Sequence, residues 1–313
     1  AVIMFRKEEF RFPSRDGHTQ LYGVRWLPTG EIKGLVHLIH GLNDYMGLYD
    51  LFASALAASG YLCFGHDLLG HGLSAEYEED LGYFGSERGD DYVLADILML
   101  TRFMQENYPE KPLVLLGQGM GSYFVRRFLF TWPTEANGAV LLANNSLKPW
   151  QVRLNSAYTT VAALFRKERY RPSRVSRAIL RQMNGHHSPH RSAFAWLAED
   201  LPSGGSHYNK HVPTLRLYRN LNHTLGILAR EESVLEMSKD APLLIVGSEQ
   251  DPLGKHGVEA RRLASLFKQG GIRYVSLKNY PGEPDPEDLE ADILSWLDAC
   301  LYLLDRQETG TGN

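Results

Sequence analysis

The chain has 313 residues, of which 43% are hydrophobic and 22% charged, and a formal charge of −4. That length suits one large core, or one core with an insertion. The composition excludes disordered and collagen-like classes, and the small negative charge gives no electrostatic reason for nucleic acid as a partner. Two cysteines, Cys63 and Cys300, are too few for a disulfide framework and read as buried thiols in a reducing compartment. No apolar stretch is long enough to span a bilayer. The opening "AVIMFRKEEF" is too short for a signal peptide and lacks a cleavage site, so the cytoplasm is the default location.

In chain order, "LYGVRWLP" alternates and predicts a strand, and "GLVHLIHG" predicts a more buried one. "YDLFASALAASG" predicts a helix with Leu51, Phe52, Ala55 and Leu56 on one face, ending at Gly60. Strand "YLCFGHD" follows, then a helix from Asp90 to Tyr108 with Tyr92, Val93, Ile97, Leu100 and Met104 inward. Strand "PLVLLG", helix "SYFVRRFLFTW" and strand "GAVLLAN" come next. From Asn145 to about His223 the rhythm breaks, and the chain is basic, histidine-rich and without clear buried strands. It resumes with helical "TLGILAREESVLEM", strand "APLLIVGSEQD", helix "GVEARRLASLFKQGG", strand "RYVSLKNYPG" and a last helix, "PEDLEADILSWLDACLYLL". Buried strands alternating with helices predict a mostly parallel sheet covered on both faces. The expected division is a first core part at 1–145, an inserted cap at 146–223, a second core part at 224–305 and a flexible tail at 306–313.

One stretch carries the functional question. "VLLGQGMGSYF" passes from a strand through a glycine-rich corner into a helix, with the outline of G-x-S-x-G, but its middle residue is Gly119. Ser122, three residues on, falls in the helix and is expected to point away from the sheet's top edge. Three more segments occur in a fixed order around this corner. They are "HLIHGLNDYMGLYD", "GHDLLGHGLS" with Asp67, Gly70, Gly72 and Ser74, and "APLLIVGSEQDPLGKHG".

Together, and with the cap stretch "FAWLAED", these segments resemble the α/β-hydrolase superfamily, in its monoglyceride lipase and lysophospholipase branch of serine aminopeptidase S33 type. The resemblance implies an α/β-hydrolase fold, a mostly parallel sheet of about eight strands flanked by helices, with an inserted cap or lid. It also implies an oxyanion hole from the amides of Leu42 and Met120, pocket loops containing His40, Gly41 and Gln118, and Asp251 as the triad acid. Ester hydrolysis by this route needs a hydroxyl nucleophile, a histidine to carry its proton, and a carboxylate to orient that histidine. Gly119 occupies the nucleophile position. In "NYPGEPDPEDLE", Asp285 occupies the histidine position, and no histidine follows His256. A carboxylate with a reference pKa of ~3.9, against ~6.5 for imidazole, is no equivalent base.

The expected activity is therefore that of a lipase-like protein lacking serine chemistry, which still binds an acyl ester or a fatty-acid-like ligand and uses no cofactor. Two alternatives stay open. One is a lipid-binding or sensing protein on a hydrolase scaffold. The other is new chemistry on Asp251 and Asp285, as a cation site or an acid/base pair, with His256 as a further candidate base. Residues Arg166 to Arg181 contain seven basic residues and one acid, Glu168. They read either as a contact with anionic lipid or as a solvated helix face, with no obvious row of large exposed apolar residues beside them. His186, His187, His190, His207 and His211 lack partners for a metal set, so no metal site is expected. His40, His66 and His71 sit in loop motifs where hydrogen bonding to backbone is the expected role.

Overall fold

A computed structural model of the chain describes residues 4–85, 88–172, 208, 211–252 and 254–310. One eight-stranded sheet runs through it in the order β1-β2-β4-β3-β5-β6-β7-β8. The strands are β1 (Phe5–Pro13), β2 (Gln20–Pro28), β3 (Gly34–Ile39), β4 (Tyr61–His66), β5 (Leu113–Gln118), β6 (Gly138–Leu142), β7 (Leu243–Ser248) and β8 (Val275–Tyr280). The first two are antiparallel additions at one edge, and β3 through β8 run parallel, each paired with its neighbour in the sheet order.

Strands β3 to β7 are buried at every position, as parallel strands covered on both faces must be. Side-chain alternation divides each strand between two cores. Leu35, Leu62, Phe64, Leu113 and Leu115 pack under α2 (Gly89–Asn107), α3 (Met120–Thr131), α5 (Leu215–Leu228) and α6 (Val258–Gln269). Val36, Cys63, Val114 and Leu116 pack under α1 (Asp50–Ala58) and α7 (Pro286–Gly310). Both thiols, Cys63 and Cys300, lie in this second core, and burial pushes the Cys300 thiol up to about 12. They are packing residues.

The structure corrects several expectations. Strand β1 was not foreseen, because an exposed edge strand reading "FRKEEFRFP" has too few apolar positions to signal itself. In α1, Leu51 faces solvent, while Ala53 and Ala57 join Phe52 and Leu56 in the core. In α2 the inner face includes Leu94, and Tyr92 is only half-buried. Helix α5 begins at Leu215, so the expected cap boundary at 223 falls mid-helix. Of the stretch expected to form a cap, α4 (Pro149–Phe165) is described; "FAWLAED", Arg174, Arg177, Arg181, His186, His187, His190 and His207 lie outside the described residues.

Two polar anchors fix this frame. On α2, Asp90 is fully buried and accepts from Arg127 of α3 (2.7 Å) and from Thr224 of α5 (2.9 Å), tying three helices together. Nearer the sheet edge, Asp96 accepts from the Ser14 hydroxyl (2.7 Å) and the Arg15 amide (2.6 Å), pinning the β1–β2 turn. Burial pushes Asp96 up to about 7, only partly offset by those hydrogen bonds. A carboxyl that holds its proton more tightly when folded stabilises most below its unfolded pKa of ~3.9 and loses that contribution as pH rises toward 7. In Asp96→Asn, the amide still accepts from Arg15 and donates to Ser14. Urea unfolding across this window is expected to show a shallower loss of stability with rising pH than in the parent chain. An unchanged slope would refute the assignment.

Candidate functional site

The chain steps from β3 to β4 on one side and places β5 on the other. The carboxyl ends of β3 and β5 thus flank the topological switch point where open α/β sheets bind ligands. Gly119 sits there, between the last residue of β5 and the first of α3, with φ 54° and ψ −115°. Its amide donates to Leu142 O at the end of β6 (3.0 Å), which locks the corner to the sheet.

The three glycines of the corner have different reasons to be glycine. A Cβ on Gly117 would lie 2.6 Å from the Gly121 backbone, and one on Gly121 would lie 2.0 Å from Ile39 O. Both are steric necessities. A Cβ on Gly119 would meet nothing within 4 Å. The space for a side chain exists there, and glycine places none in it. Ser122 does not supply it: it is fully buried, and its hydroxyl donates back to Gly119 O at 2.7 Å.

The loop after β3 packs directly beside this corner, since a Cβ on Gly41 would lie 3.4 Å from Gln118 O. His40 is buried, donates from Nδ1 to Gly41 O (2.8 Å) and accepts from Leu68 N at Nε2 (3.0 Å). Burial lowers it to about 4, so it is a neutral clamp between the loop and the "GHDLLGHGLS" segment. His71 likewise bonds Leu69 O through Nδ1 (2.9 Å). His66 departs from expectation: neither ring nitrogen has a partner among the described residues, and the ring packs edge-on against Phe12.

Sequence reasoning passed over Asp44 and Tyr49 as individuals. The Gly41 amide donates to Asp44 Oδ2 (3.1 Å), and the Tyr49 hydroxyl lies 3.0 Å from that oxygen and 2.5 Å from Gln118 Oε1. Burial pushes Asp44 up to about 6. This network fixes the loop carrying Leu42 against the corner, with Met120 as the first residue of α3 and its amide at the helix N-terminus. The available signal was the turn itself, since Asn43 takes φ 63°, a conformation asparagine tolerates.

Asp251, three residues beyond β7, is 1% exposed and accepts from the Gly254 amide (3.3 Å). Tyr123, one turn into α3, is pushed up by burial and further by the Asp251 charge, which places that carboxylate beside the start of α3. Asp285 differs. It is exposed, precedes Pro286 at the start of α7, and accepts from the Glu287 amide (3.0 Å) as an ordinary helix cap. No contact joins it to Asp251 among the described residues, so nothing here favours a carboxylate pair. Its loop still runs along the rim that carries Asp251, because Ser248 Oγ donates to Gly282 O (2.7 Å). His256 is exposed, with Nδ1 bonded to Glu249 O (2.8 Å).

A family model described as Serine aminopeptidase, S33, matches residues 30–283. The chain belongs to that family. Part of the chain is also similar to monoglyceride lipases. The monoglyceride lipase of Rattus norvegicus is 31% identical over 118 residues, 38% of this chain and 37% of that enzyme. The chain thus spans little more than a third of the length of that curated relative. The monoacylglycerol lipase of Mycolicibacterium smegmatis is 25% identical over 95% of this chain and 99% of its own. Among solved structures, a thermostable carboxyl esterase from Bacillus coagulans superposes with a TM-score of 0.79 at 20% identity, covering 94% of this chain and 99% of its own. The last comparison speaks for the α/β-hydrolase fold.

Helix α4 brings a second correction. On α4, Trp150, Leu154, Val161, Leu164 and Phe165 are between 56% and 79% exposed. Their spacing puts them on one helical face. The row of large apolar residues judged missing beside the basic segment is therefore present, on the helix that precedes it. Among the described residues, no helix is long and apolar enough to cross a membrane.

Proposed function

We propose that this chain is a lipase-like α/β-hydrolase that binds an acyl ester or a fatty-acid-like ligand at the Gly119 corner without serine-based turnover. The observation that carries the reading is Gly119 itself. The corner keeps its strained backbone and its open space, with nothing within 4 Å of a would-be Cβ, but has no nucleophile. The Asp44–Tyr49–Gln118 network holds the adjoining loop, so the amides of Leu42 and Met120 are available to a carbonyl or carboxylate oxygen. The exposed stripe of α4 suits a protein that takes its ligand from a lipid surface.

Titration with a long-chain fatty acid or a monoglyceride is expected to show saturable binding. A serine-reactive fluorophosphonate is expected to leave every serine unlabelled, with p-nitrophenyl ester hydrolysis at the buffer rate. Labelling of any serine, or turnover that saturates with ester, would overturn the reading. So would the absence of binding by both ligands.

A further inference from the structure

Away from the Gly119 corner, α4 and α5 enclose an open cavity of about 600 Å³. Gly119, Asp251 and Asp285 take no part in its lining. Arg153 of α4 faces Arg219 and His223 of α5 across it, with Arg230 at the rim just past α5, and no carboxylate lines it among the described residues.

The charges on this wall are largely uncompensated. Arg216 is paired with Glu168, and His223 Nδ1 is held by Asp90 Oδ2 at 2.7 Å. Arg153, Arg219 and Arg230 have no side-chain ion pair among the described residues. The bond to Asp90 favours the protonated form of His223, which is raised from its ordinary value chiefly for that reason. Asn222 of α5, 2% exposed, donates to Ser156 Oγ at 2.8 Å, so the serine proton is free to point elsewhere. Guanidinium groups from two helices, beside a hydroxyl donor, form a wall that repels itself until an anion arrives.

Phosphate fits this wall best. It offers several acceptor oxygens and up to two negative charges, which match convergent arginines better than a single carboxylate does. The cavity is also far larger than a bare ion needs, so the group would carry an organic substituent. Arg153 lies one turn after Trp150 and directly before Leu154, at the margin of the apolar stripe. A phosphate at the level of lipid head groups would therefore reach the cavity while the stripe rests among acyl chains.

We infer that the groove between α4 and α5 binds a phosphate group, carried either by an anionic glycerolipid head group or by a soluble phosphate ester. The inference does not depend on what the Gly119 corner binds. The test has two arms on the full chain at constant ionic strength. One titrates inorganic phosphate and glycerol 3-phosphate calorimetrically. The other sediments the protein with vesicles of phosphatidylcholine alone or of phosphatidylcholine with phosphatidic acid. Saturable binding in the first arm identifies a soluble ester. Binding only to vesicles containing phosphatidic acid identifies the lipid source. In whichever arm binds, Arg153→Ala and Arg219→Ala should each weaken affinity about tenfold, as loss of a charge-assisted hydrogen bond does. Lys268→Ala, a cation on α6 outside the groove, should not. Absence of binding in both arms overturns the inference, and so does a Lys268→Ala loss as large as those of the groove variants.

Discussion

Gly119→Ser combined with Asp285→His is expected to raise p-nitrophenyl ester turnover by about 10³-fold or more over the parent chain, whereas Gly119→Ser alone changes it little. The serine has room, since nothing lies within 4 Å of its Cβ position. Its strained backbone costs ~1–3 kcal/mol, which the surrounding corner already enforces. A serine without a histidine gains almost nothing, because the members of a triad act as one unit and removing either costs about as much as removing all. The second substitution places imidazole on the loop that Ser248 holds to the rim carrying Asp251. It also removes the cap on α7, at ~1 kcal/mol. Steady-state kinetics and fluorophosphonate labelling read the result. A folded double variant with no gain would show that position 285 does not face the corner, and the lipase-like pocket would then need another explanation.

Gly121→Ala is expected to destabilise the chain by ~3 kcal/mol or more. Helix propensity favours alanine over glycine by ~1 kcal/mol within α3. Against that, the added Cβ would sit 2.0 Å from Ile39 O, 2.7 Å from Ile39 C and 2.8 Å from His40 O. These are backbone atoms of β3 and its exit, which cannot rotate away, so α3 would have to lift off the sheet. Gly119→Ala is the matched control. It meets no neighbour and pays only for its strained backbone at φ 54°, ~1–3 kcal/mol. Urea midpoints compare the two directly. If Gly121→Ala proves no worse than Gly119→Ala, the close packing of α3 on β3 is not what makes the corner glycine-rich.

The contrast between these glycines shows where sequence reading stopped. Three glycines in five residues announced a strand–helix corner, but only the three-dimensional contacts separate the two whose Cβ would clash with backbone from the one held back only by its positive φ. Buried strands were legible because β3 to β7 are almost wholly apolar or small, His37, His66 and Gln118 excepted, whereas β1, half-exposed at the edge, was not. Asp285 read from its alignment as standing at the histidine position, with a carboxylate pair with Asp251 left open as an alternative. Its own "DPED" setting is a helix start, and that is the role its hydrogen bond to Glu287 shows.

By itself the sequence determined the fold class, the order of the motifs and which residues stand at positions 119 and 285. These depend on residue identity and local periodicity, which a linear chain carries openly. Tertiary structure alone decided which neighbours those residues meet. The space above Gly119, the Asp44–Tyr49–Gln118 clamp, the outward stripe of α4 and the arginine groove beside it all join segments distant in sequence. Each depends on how helices settle on the two faces of a twisted sheet. That settling is fixed by close packing of whole surfaces, not by any one stretch of residues.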